Sequence, residues 1–219
     1  AAVVLVLFRH GERAISIHNP QATAAGGPLH SLFMNGWVGV DLSLVLSGYL
    51  IGKSLFRMFD TTRTLNIRTY FRARALRIVP AYFFVLLATA AGAFPFYEVS
   101  GDDIARRIAY HLLFLQDYLP ADINVVFWSL GVEEKFYLLA PVLAYCLLTV
   151  RNPNAALGLL LALILLSPGI KLIQFLSMTS PPDYDRFFAA FRSPFHLSLE
   201  PVRAGVAVAY VRHKKLVQL

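Results

Sequence analysis

Between Ile78 and Tyr97 the chain runs for twenty residues without a charge. At 1.5 Å of rise per residue, that run makes a helix of about 30 Å, the thickness of a bilayer's hydrocarbon core. Pro80 and Pro95 sit near its ends, where a helix best tolerates proline. A soluble domain has little use for such a segment, and the composition agrees. Apolar residues make up 57% of the 219 and charged residues 15%, against about 25% charged in soluble domains. Disorder, a collagen-like fibre and a small disulfide scaffold are thereby excluded.

Other apolar runs repeat the pattern. Trp37–Phe56 holds one acid, Asp41, and a small-xxx-small pair at Gly48 and Gly52 that permits close helix contact. Ser129–Val150 is charged only in its first turns, at Glu133, Glu134 and Lys135. Asn154–Phe175 follows, then a shorter stretch from Val202 to Arg212. The opening run Ala1–Phe8 has neither a basic n-region nor a small-residue cleavage site, so it reads as the second half of a helix that ends near His10. Asp102–Tyr118 spaces Ile104, Ile108, Leu112 and Leu115 as an amphipathic or re-entrant helix does. The expected fold is an all-α polytopic transmembrane bundle with five spans plus a partial N-terminal one. Residues 1–219 are expected to form one membrane-embedded domain, incomplete at both ends.

Charge orients the spans. The net charge is +7, and its distribution says more than its sum. The stretch 57–77 carries Arg57, Arg63, Arg68, Arg72, Arg74 and Arg77 against Asp60 alone. The stretch 98–128 carries five acids against Arg106 and Arg107. The positive-inside rule places the first in the cytoplasm and the second outside. Alternation then puts Arg151 and the Arg212–Lys215 cluster inside as well. Basic residues confined to short loops between apolar spans do not suit nucleic acid. The single Cys146 forms no intrachain disulfide, and the six histidines form no tight ligand cluster, so no metal site is expected.

Three places carry potential chemistry. Arg74 and Arg77, three apart, share a helix face, with Arg72 and Tyr70 nearby. They either mark the cytoplasmic side or clamp an anion, since guanidinium forks pair with phosphate. In Trp128-Ser129-Leu130-Gly131-Val132-Glu133-Glu134-Lys135 the acids suit an early helical turn. Adjacent positions point about 100° apart, however, so one acid must turn inward, where an ionisable group is a functional candidate. His10, closing the first apolar run, reads as an interfacial residue or as a general base.

Four blocks together resemble the membrane-bound acyltransferase-3 family, integral-membrane O-acyltransferases that modify sugars and other cell-envelope or secreted molecules. They are Val3-Val4-Leu5-Val6-Leu7-Phe8-Arg9-His10; Gly39-Val40-Asp41 leading into Leu46-Ser47-Gly48-Tyr49-Leu50-Ile51; Arg74-Ala75-Leu76-Arg77-Ile78-Val79-Pro80; and Trp128 to Tyr137. They stand in family order over residues 1–143, and Arg192-Ser193-Pro194-Phe195 with Arg203-Ala204-Gly205 extends the likeness to about residue 210. The resemblance implies a bacterial inner-membrane enzyme that takes an acyl group, acetyl above all, from acetyl-CoA or another acyl-CoA. The acceptor it implies is a hydroxyl of a carbohydrate or lipid-linked molecule on the outer side. By the same resemblance His10 is the catalytic base and Arg74 and Arg77 bind the donor, with Arg72 beside them. Glu133 matches a site glutamate of unassigned role. The family often has paired phenylalanines after the Gly-Val-Asp segment, where this chain has Ser43-Leu44. A second reading, from the helices alone, is a transporter or non-catalytic membrane scaffold whose arginines bind anionic lipid headgroups.

Overall fold

The computed structural model describes residues 2–18, 27–94, 103–119, 123 and 125–215. Among these residues every regular element is helical. The α-helices in chain order are α1 (Ala2–His18), α2 (Pro28–Met34), α3 (Val38–Thr62), α4 (Ile67–Ala90), α5 (Ile104–Leu112), α6 (Trp128–Thr149), α7 (Pro153–Leu176), the single turn α8 (Tyr184–Phe187) and α9 (Glu200–His213), with short 3-10 or π turns at Val125–Phe127, Phe188–Arg192 and Phe195–Leu197.

α3, α4 and α7 are long and apolar enough to cross a membrane. Their outward faces stay bare: Leu76 is 67% exposed, Phe84 72% and Ile173 71%. Water would penalise that much apolar surface and lipid does not. α6 and α9 stand where the spans Ser129–Val150 and Val202–Arg212 were expected, but they are not among the helices both long and apolar enough to cross a membrane. α6 spends its second turn on Glu133, Glu134 and Lys135, and α9 has 14 residues, about 21 Å of helix.

Two boundaries differ from the charge pattern. α4 begins at Ile67, where the Asn66 side chain accepts from the Thr69 amide at 3.0 Å. An N-cap, rather than the loss of charge, sets a helix start. Arg68, Arg72, Arg74 and Arg77 therefore lie inside the helix, and Pro80 lies in its interior. α1 continues through His10 to His18, so the histidine sits mid-helix and not at an end. The close of the charge-free run at 95–97 and Asp102 fall outside the described residues.

α9 is the centre of the bundle. It packs along α3 at backbone distance, with small residues on both sides. A β-carbon on Gly48 would meet the Val202 carbonyl oxygen at 2.0 Å, and one on Gly205 would meet that of Val45 at 2.0 Å. Gly52 approaches the Ala209 β-carbon. Around this contact Leu44, Ile51 and Phe56 of α3 bury against Val206 and Tyr210 of α9 and Val132, Phe136 and Ala144 of α6.

α1 is seated the same way at the other end of α3. Gly36 lies under Leu5 and Arg9, and Gly39 under Ala2 and Val6. As α1 advances, its contacts step backward along α3, so the two run antiparallel.

Candidate active site

The α1 seat decides where His10 goes. Val3, Val6 and His10 fall on one face of α1 and line a cavity of about 300 Å³ with Trp37, Val40, Ser43, Trp128, Ser129, Tyr184 and Phe188. His10 is itself exposed, whereas the preceding Arg9 is buried. The Arg9 guanidinium lies 4.9 Å from the Trp37 ring centre and 6.0 Å from that of Tyr184. Trp37 and Tyr184 stack at 5.8 Å. From the other side, Arg192 lies 5.9 Å from Trp37 and 5.2 Å from Trp128. Its charge is met by Asp41 Oδ1 at 2.7 Å. The cavity wall is thus aromatic and held between guanidinium groups, an arrangement favoured by the negative faces of the rings.

A second cavity, of about 240 Å³, opens further along the same α3–α6 seam. Arg74, Arg77, Glu133, Tyr137, Ser47 and Ser43 are among its walls. Tyr137 donates to Glu133 Oε2 at 2.8 Å, and the Ser47 hydroxyl lies 3.4 Å from the Tyr137 oxygen. Tyr70 donates to the Tyr137 carbonyl at 3.2 Å, which ties α4 to α6. That tie holds the Arg74 guanidinium 5.6 Å from the Tyr137 ring centre. Two guanidinium groups beside one carboxylate leave positive charge in excess, so the cavity suits an anionic or strongly polarised group.

Ser43 lines both cavities. Val40, Ser43, Ser47 and Leu50 recur at helical spacing, which puts them on one face of α3. The opposing α6 face supplies Ser129 to the first cavity and Leu130, Glu133 and Tyr137 to the second.

Of the residues singled out in the sequence, Arg74, Arg77 and Glu133 come together. Arg72, two positions from Arg74, is exposed and does not line that cavity. His10 and Glu133 line different cavities. The three adjacent charges of α6 splay as helical geometry requires. Glu133 enters the cavity, Glu134 buries its Oε1 elsewhere, and Lys135 pairs with the fully buried carboxylate of Asp117 and the Phe114 carbonyl.

Sequence reasoning missed the Asp41–Arg192 pair. The two residues stand 151 positions apart, and only the acid's isolation inside an apolar run hinted at a partner. It also missed Asp117, which accepts from the Phe195 amide at 3.1 Å as well as from Lys135. No periodicity marks that residue. Among the described residues, no group of three or more His, Cys, Asp or Glu side chains is placed to hold a metal ion.

A family profile described as an acyltransferase domain matches residues 2–195. The "Peptidoglycan O-acetyltransferase OatA" of Listeria monocytogenes is 29% identical over 161 residues, which cover 67% of this chain and 26% of that protein. A Staphylococcus aureus protein named "Putative O-acetyltransferase SACOL0978" is 27% identical over 138 residues, 56% of this chain and 22% of that protein. The Bacillus subtilis "Putative peptidoglycan O-acetyltransferase YrhL" is 26% identical over 151 residues, 63% of this chain and 24% of that protein. The chain spans about a quarter of the length of these curated relatives. No solved structure matches it.

Proposed function

This chain belongs to the acyltransferase family whose profile it matches, and on that premise we propose that it transfers an acetyl group from acetyl-CoA, or another short acyl-CoA, to a carbohydrate hydroxyl of the bacterial cell envelope. It works as part of one membrane-embedded acyltransferase domain in the inner membrane, with residues 57–77 facing the cytoplasm. The observation that carries the reading is the meeting of two cavities at Ser43, one holding an imidazole and the other a guanidinium pair. The relatives' names supply the chemistry: peptidoglycan O-acetylation for the Listeria protein.

The division of labour follows from size and charge. A cavity of about 240 Å³ is smaller than the usual site for a drug-sized ligand. It takes the slender acyl end of a donor, while the phosphorylated nucleotide stays outside near the exposed Arg68 and Arg72. Arg74 and Arg77, walls of that cavity, pair with the phosphates at its mouth, and Tyr137 and Ser47 hold Glu133 beside them. The thioester passes Ser43 toward His10. Arg9 packs at Gly36, just before α3 and seven residues ahead of Ser43, so a short arm crosses the gap. His10 takes the proton of the acceptor hydroxyl, whose oxygen bonds to the acyl carbon. The carbon–sulfur bond breaks, and the departing thiolate takes the proton from the imidazolium. The aromatic wall of Trp37, Trp128 and Tyr184 receives the apolar face of a sugar ring.

The test is acyl transfer from labelled acetyl-CoA to envelope glycan in membranes that contain the protein. His10→Ala abolishes transfer while insertion stays intact; undiminished transfer removes His10 from the mechanism. Arg77→Ala raises the donor concentration needed for half-maximal rate. An unchanged donor dependence leaves the arginine a purely topogenic role. Absence of saturable, CoA-competed binding to the purified protein favours a transporter or scaffold instead.

A further inference from the structure

Ser43 is the one residue that borders both cavities among those lining either, and its chemistry is that of a spacer. Its hydroxyl donates to the Gly39 carbonyl at 2.9 Å, back along its own helix. That bond uses the hydroxyl's one hydrogen, so toward a substrate Ser43 can only accept. Its neighbours on that α3 face, Val40 and Leu50, are larger. A small side chain, matched on this face by Ser47, thus stands where the two spaces share a wall. On the facing helix, Ser129 opens to one side and Leu130 to the other, so α6 changes cavity at the same level.

We propose that Ser43 is the gate of a continuous passage between the guanidinium cavity and the imidazole cavity, and that its small size sets the largest acyl group this chain passes. The inference rests on the acyl-transfer reading for what travels through the gate, but not for the existence of the passage. A two-carbon acyl chain clears a hydroxymethyl side chain. A benzyl group at position 43 obstructs the junction, because a ring takes up the space that a hydroxymethyl group leaves open. Leu42, one position earlier, is 47% exposed and lines neither cavity. The same enlargement there adds bulk on the outward face only.

The two claims are tested separately. For the passage, Cys146, the sole native cysteine, is replaced by serine and Ser43→Cys is introduced. A membrane-impermeant methanethiosulfonate reagent is then applied to right-side-out and inside-out vesicles. Modification from both sides is expected, since the constriction is the one level reachable from either cavity. Modification from a single side, or from neither, overturns the passage whether or not the protein transfers acyl groups. For the size limit, acetyl, butyryl and hexanoyl donors are compared. Ser43→Phe is expected to lower acetyl transfer at least tenfold while saturable donor binding persists, and Leu42→Phe to leave it within twofold. Ser43→Gly is expected to raise the butyryl-to-acetyl rate ratio several-fold. Acetyl transfer retained in Ser43→Phe, or an unmoved ratio in Ser43→Gly, overturns the gate. Loss of donor binding together with transfer in Ser43→Phe is the mark of misfolding, and the cysteine and glycine variants then decide. Failure of the unmodified protein to transfer any acyl group counts against the function, and the labelling result still decides the passage.

Discussion

Replacing Gly48 with alanine tests whether the bundle is held by backbone contact between α3 and α9. The new β-carbon would lie 2.0 Å from the Val202 carbonyl oxygen and 2.8 Å from its carbon. Ordinary contact begins near 3.4 Å, so the helices must part by about 1.4 Å. Neither partner is a flexible side chain that can swing away. A radial gap of that order forfeits a quarter to a half or more of each dispersion contact across the seam. Those contacts include Val202, Val206 and Tyr210, all essentially buried. Overpacking adds a further 1–3 kcal/mol or so, for a loss of about 3 kcal/mol in all. Inside a membrane no hydrophobic gain between helices offsets this, because lipid is as apolar as the interface.

A graded series isolates the cause. Gly52→Ala places its β-carbon 3.1 Å from that of Ala209, and Gly158→Ala meets nothing within 4 Å. The expected order of thermal stability in detergent is Gly158→Ala at or above the parent, Gly52→Ala slightly below, and Gly48→Ala lower by on the order of 10 °C. Gly48→Ala melting with the parent would refute the close approach and the central place of α9 with it.

Two further variants probe the supports of the site. Asp117→Ala strands Lys135 beside the Phe114 carbonyl and the orphaned Phe195 amide. A loss of about 3 kcal/mol or more in detergent melting is expected, and Asp117→Ala with Lys135→Met should recover part of it; no recovery would show that the pairing contributes nothing. Tyr137→Phe deletes the donor to Glu133 and should cost about 1.5 kcal/mol in the same melt, with helix content by circular dichroism unchanged; an unaltered melting point would mean that the bond is not made.

The linear chain carried every apolar helix of the bundle, because length, periodicity and the absence of charge are local properties. α7 begins and ends within a residue of the span read from sequence, and α6 likewise. Helix starts were less legible where a cap overrode the charge pattern, as at Asn66. The small-xxx-small spacing of Gly48 and Gly52 announced a close partner without naming α9, since a missing side chain says that something approaches and not what. Arg74, Arg77 and Glu133 were visible as charges at the edges of apolar runs.

What only the tertiary structure decided is which of these groups meet. Whether His10 and Glu133 share a site depends on how α1 lies on Gly36 and Gly39 and how α6 is rotated against α3. Both are set by packing between segments far apart in the chain, and no local spacing encodes them. The same holds for Asp41 with Arg192 and for the place of Ser43. A serine in an apolar helix is unremarkable by itself. It becomes a junction because two cavities, built by α1, α3, α4, α6, α8 and the segments between them, share it as a wall.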